Sequence, residues 1–136
     1  MNIELTSKQF RRLLDLVYIG NWILNSTRAN DRISDYDELE SHLFSYCEGQ
    51  GMPVLRDMVG GSAVPSHAFS EGGIHEAIMD YEDTVFFEIL AEELAHRDLF
   101  LSETPMDVED LAERINAYIS EFEKNGISNI LVDIDL

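Results

Sequence analysis

A chain of 136 residues, 45% of them hydrophobic, has the size of one domain and enough apolar material for a core without disulfide or metal staples. Its net charge of −18 argues against direct nucleic-acid binding, because so negative a surface repels phosphate backbones. A single cysteine, Cys47, excludes an internal disulfide and points to a reducing, cytoplasmic setting.

The charge is unevenly spread. Residues 1–33 hold five bases and three acids, whereas residues 34–136 hold 24 acids and four bases. Such a surface keeps a protein soluble and weakens its fold at low salt through self-repulsion. It also suits a basic protein partner, reached by imitation of nucleic acid. Arg11-Arg12 followed by Leu13, Leu14 and Leu16 has the outline of an export signal, but Asp15, Asn21 and Asn25 interrupt it and no small-x-small cleavage site follows. The stretch is also too short to span a membrane, so a buried first helix is expected.

Thr6 and Gln9 match a capping box, with Leu5 and Phe10 at the staple positions. Phe10, Leu13, Leu14, Val17 and Leu24 then recur at helical spacing, while Ile19, Trp22 and Ile23 fall on the other side. Asn21 and Asn25 lie on the first face. A buried amide there either pairs across a two-fold axis or caps a neighbouring loop. A second helix starts at Ser34 or Asp35 and presents Tyr36, Leu39, Leu43, Tyr46 and Cys47 inward, stopping at Gly49 or Gly51.

Residues 49–73 contain six of the eight glycines and two of the three prolines, which makes this segment a long connection rich in turns. Residues 54–59 within it fit a short helix or a strand equally. A connection of this length is often a binding loop.

A third helix covers residues 74–100. Ile74, Ala77, Ile78, Tyr81, Val85 and Ile89 share one face, and Phe86, Phe87, Leu90 and Leu94 occupy another. A helix apolar on two sides is buried on both, within its own chain or against a second copy. Thr104-Pro105-Met106-Asp107 reads as the start of a fourth helix, with Val108, Leu111, Ala112, Ile115, Tyr118, Ile119 and Phe122 as its stripe and Gly126 as its stop. Residues 130–136 alternate and are β-branched, as in a strand. The expected fold is mainly α: one domain over residues 1–136, a compact bundle of four principal helices with a long Gly-rich connection (49–73) and a short C-terminal β-strand.

Chemical motifs are sparse. Glu93-Leu-Ala-His96 resembles one half of the carboxylate–histidine pattern of ferritin-like di-iron bundles, which needs two such units, and the sequence has no second. Glu92, Glu93 and His96 are therefore metal-ligand candidates only at a contact between subunits. Gly60-Gly61-Ser62 opens neither a phosphate loop nor a nucleophile elbow, and adjacent Ser66 and His67 do not form a nucleophile–base pair. Cys47, on the inner stripe of the second helix, reads as core. No cofactor is expected.

Three functions fit these observations. The first is a non-enzymatic cytoplasmic interaction module that self-associates, with a dimer favoured and Ile19, Trp22, Ile23, Phe86, Phe87, Leu90 and Leu94 as interface candidates. The second is an acidic inhibitor that mimics nucleic acid on a basic protein. The third is a metal-dependent enzyme using Glu92, Glu93 and His96.

Overall fold

Thr6 starts the first helix as its sequence anticipates. In the computed structural model of the chain, the Thr6 hydroxyl accepts from the Gln9 amide and Gln9 Oε1 accepts from the Thr6 amide, so helix α1 runs Ser7–Asn25 behind a complete capping box. The structure describes residues 2–102 and 107–133.

Helix α2, Ser34–Ser45, begins differently. Its cap residue is Ile33, which has no side-chain acceptor to offer, and α1 supplies the missing group. Asn25, fully buried, accepts from the Ile33 amide at 2.8 Å and donates to the Ile33 carbonyl at 3.1 Å, while its Nδ2 also donates to Asn21 Oδ1 at 2.7 Å. The two asparagines therefore act within one chain, capping a loop. Asp35 and Asp37 in the first turn of α2 complement its dipole.

The ambiguous segment resolves into both of its alternatives. Pro53–Leu55 form one 3-10 turn, and β1 (Arg56–Val59) follows at once. β1 pairs antiparallel with β2 (Ser62–Pro65) in the register Arg56↔Pro65 to Val59↔Ser62. Gly60 and Gly61 join them with φ of 58° and 82°, the two positive angles that a tight type I′ hairpin demands. Ser66 then caps a short α3 (His67–Phe69): its hydroxyl accepts from the Phe69 amide and donates to the Val54 carbonyl. A wide turn, Ser70–Ile74, leads into the long helix α4, His75–Leu101.

Helix α5, Val108–Asn125, is capped by Asp107, whose carboxylate accepts from the Glu109 and Asp110 amides. Thr104, Pro105 and Met106, read as part of this start, lie outside the described residues. The fold is mainly helical with a small β part, and among the described residues that β part sits in the Gly-rich connection rather than toward the C-terminus. Residues 130–133 carry no strand hydrogen bonding, and Leu131 and Val132 stand exposed. Residues 134–136 of the expected strand lie outside the described residues. Among the described residues, no helix is long and apolar enough to cross a membrane.

By contact the chain divides into two compact units, Met1–Ile78 and Met79–Leu136. The first has a continuous core of Phe10, Leu14, Phe44, Cys47, Ala63, Phe69, Ile74 and Ile78, in which the Phe44 and Phe69 rings meet edge to face at 4.9 Å. Of the predicted stripe Leu43 and, just past the end of α2, Cys47 pack into the core, whereas Tyr36, Leu39 and Tyr46 stand half in water and Phe44 is the buried residue of the helix. In the second unit α4 and α5 run antiparallel: Phe87 lies 5.6 Å from Phe122, while Asp98 meets Tyr118 and Arg114. Its buried residues, among those described, are Ala91, Ala95 and Phe122.

Asn25 is the polar group on which α2 depends. Asn25→Ala leaves both backbone groups of Ile33 without their side-chain partner, at a cost of about 2–3 kcal/mol. Urea unfolding followed by the fluorescence of Trp22, the one tryptophan of the chain, should show that loss. The exposed amide substitution Asn129→Ala should leave this transition in place. A loss below about 0.5 kcal/mol in Asn25→Ala would contradict the capping role.

Candidate functional site

Each unit holds one cluster in which several groups with displaced proton affinities meet, and such displacement marks either a working site or a structural ion pair. The second unit holds the simpler case. Asp98 accepts from Tyr118 Oη at 2.6 Å, from Arg114 Nη1 at 3.2 Å and from Arg97 Nη2 at 2.9 Å. The Tyr118 hydroxyl, more than any other neighbour, holds the Asp98 carboxyl below its ordinary range, and the same bond raises the Tyr118 phenol. Every strong partner of Asp98 is already engaged. This cluster locks α4 to α5.

In the first unit the arrangement is less complete. Arg32 grips Asp37 through Nε at 3.0 Å and Nη2 at 2.5 Å, and gives Nη1 to the Asn25 carbonyl at 3.2 Å. Asp37 also accepts from Asn21, and its carboxyl is held low, chiefly by Arg32. One helical turn further along α2, Glu40 is half-buried, and burial raises its carboxyl against the opposing Asn21 amide. Opposite stands an aromatic wall from α1. Tyr18 Oη lies 2.6 Å from His75 Nε2, and Trp22 meets the His75 ring edge to face at 4.8 Å. Burial raises the Tyr18 phenol, and the nearby Glu40 charge adds to it.

Two hollows open here and share Arg32 and Glu40 in their walls. One, of about 280 Å³, is bounded by Tyr18, Asn21, Trp22 and Ser26. The other, of about 630 Å³, extends over Glu38, Ser41 and His42 to β2. The cleft is thus made by α1, α2 and the hairpin, and part of the Gly-rich connection does border a recess.

The residues singled out in the sequence fare unequally. Ile19 and Trp22 pack against the first unit's own core, because the buried arc of α1 turns toward Tyr18, where Phe69 and His75 close over it. Ile23 stays exposed. Phe87, Leu90 and Leu94 are half-buried on the side of α4 that meets α5, with Phe87 against Phe122. Phe86 is 52% exposed, and on the helix it neighbours Ile89 at 53%, with Tyr81 at 62% on the far side of Ile89. The uncovered face of α4 is therefore the one carrying Tyr81, Val85 and Ile89, with Phe86 at its edge.

Glu92, Glu93 and His96 lie on the exposed side of α4, and among the described residues no group of three or more His, Cys, Asp or Glu is placed to hold a metal ion. Ser66 is occupied as a helix cap, and Cys47 is buried, its thiol raised by that burial. The cleft residues Tyr18, Glu40 and His75 had no motif to announce them; the signal was only that an acid and a tyrosine recur on otherwise apolar arcs.

The Asp98 cluster yields a pH prediction. A carboxyl held below its ordinary 3.8 contributes stability above that pH and loses it as pH falls through the folded value. Tyr118→Phe removes the largest cause. Carboxyl NMR should find Asp98 titrating below 3.8 in the parent and moving upward in Tyr118→Phe, with α4–α5 weakened by about 1 kcal/mol at neutral pH. An unmoved titration would show that the arginines alone set it. Compared with known proteins, the chain matches no family model, no curated protein and no solved structure, so neither cluster inherits a role from a relative.

Proposed function

We propose that this chain is a non-enzymatic cytoplasmic interaction module that self-associates, its α4 face seating on a second copy. The observation that carries the reading is the shortage of burial in the second unit. Beyond Ile78, α4 and α5 have Ala91, Ala95 and Phe122 as the buried residues among those described, and leave Tyr81, Phe86 and Ile89 more than half in water. Covering those exposed parts contributes on the order of 1 kcal/mol per side chain.

A complementary surface is present on the first unit. Ile3, Leu5, Leu13 and Leu16 line a shallow groove of about 480 Å³ beside α1, flanked by Lys8 and Arg12. The α4 face instead carries the exposed carboxylates Glu82, Glu92 and Glu93 among its apolar residues. Apolar surfaces that carry opposite charges attract, and the charges fix register. The groove of one copy and the α4 face of another satisfy each other.

A second reading is the acidic inhibitor that occupies a nucleic-acid site on a basic protein. The net charge of −18 favours it. Such a complex dissociates as salt rises, because its attraction is screened.

Light scattering on the purified chain at tens of micromolar tests the first reading. The parent is expected to exceed the monomer mass, and Phe86→Asp or Leu16→Asp alone to return it to monomer. Mixing those two variants should restore a pair, since one keeps the groove and the other keeps the face. A parent that stays monomeric, or a mixture that never pairs, would contradict this reading.

A further inference from the structure

Glu40 is a carboxylate with unused capacity in an otherwise satisfied cluster. Arg32 spends its Nε and both terminal nitrogens on Asp37 and the Asn25 carbonyl. Among the described residues no cation lies within ion-pair distance of Glu40; Arg32 acts on it from further away, and the Asn21 amide faces it. Yet Glu40 borders both hollows of the cleft. A half-buried carboxylate without a direct counter-charge costs stability unless something cationic arrives.

The surroundings specify what arrives. Tyr18 and Trp22 border the smaller hollow, and aromatic rings attract organic cations through their electron-rich faces. Asp37, Glu38 and Glu40 disfavour anions around the larger opening, and Arg32, which borders both hollows, is committed through Nε and both terminal nitrogens to Asp37 and the Asn25 carbonyl. A divalent metal is disfavoured because the described residues offer no three-ligand group. The Tyr18 hydroxyl is tied to His75, which holds the wall in place.

We infer that the Tyr18–Trp22–Glu40 cleft binds an alkylammonium group, its charge on the Glu40 carboxylate and its methylenes along the two aromatic rings. The same chemistry is offered by a free amine and by the lysine side chain of a partner protein. This site is separate from the self-association surfaces and stands whether or not the chain pairs.

Trp22, the chain's one tryptophan, borders the cleft and reports on it. Its fluorescence should change saturably with n-butylammonium chloride and with Nα-acetyl-lysine amide, at constant ionic strength. Stronger binding of the lysine amide would assign the site to a protein-borne lysine; equal binding would assign it to free amines. Glu40→Gln should weaken both by at least tenfold, while its own unfolding midpoint at neutral pH is not lowered. That midpoint separates lost binding from lost folding, because neutralising a carboxyl whose affinity burial has raised removes a penalty from the folded state. Asp35→Asn, exposed at the start of α2, should bind as the parent does. The inference is overturned if neither amine exceeds the effect of sodium chloride. It is equally overturned if neutral Nα-acetyl-norleucine amide binds as well as the lysine amide, or if Glu40→Gln binds like the parent.

Discussion

Apolar burial is concentrated in the first unit, and the behaviour of the molecule follows from that imbalance. Leu14, Phe44, Cys47 and Phe69 are fully enclosed there by α1, α2, the hairpin and α3. The second unit encloses two alanines and one phenylalanine among its described residues. Alanines at Ala91 and Ala95 contribute little transfer energy themselves. Two helices alone have few faces to turn toward each other, so apolar residues opposite their seam remain in water. This shortage is the basis for the proposal that a second copy covers α4.

Polar groups divide along a similar line between those that are satisfied and those that are not. Asn25 and Asp98 each serve several donors or acceptors at once, which suits a fastening role. Glu40 is similarly placed beside a cluster but without a direct cation, and burial acts against its charge. A carboxylate in its costly form at the mouth of a recess is the feature on which the proposed ligand site rests. Both the proposed self-association surface and the cleft are thus places where the fold leaves something uncovered, one apolar and one charged.

How much of this could be read in advance varied with the physics of each segment. The capping box at Thr6, the helical stripes of α4 and α5 and the stop at Gly126 depend on neighbours within a few residues, and the periodicity reported them well. The hairpin was harder. Gly60-Gly61 is a strong turn signal, but Arg56–Val59 and Ser62–Pro65 are too short to alternate clearly, and Pro65 weakens any strand reading. Residues 130–133 show the converse, since alternation without a pairing partner makes no strand. How the second sides of α1 and α2 are covered depended on Phe69 and His75, remote in sequence, so the packing of Ile19 and Trp22 against their own unit and the burial of Phe44 had no local signal. The cleft was invisible for the same reason, because Tyr18, Glu40 and His75 come from three helices and share no spacing.

The central claim, that the second unit lacks enough buried surface until a second copy covers it, can be read directly by amide hydrogen exchange at low and high protein concentration. Amides of α4 beyond Ile78 and of α5 should exchange markedly more slowly at several hundred micromolar than at a few micromolar. Those of α2 and the hairpin should be unchanged. Protection of α4 and α5 that equals that of the first unit and ignores concentration would contradict the account.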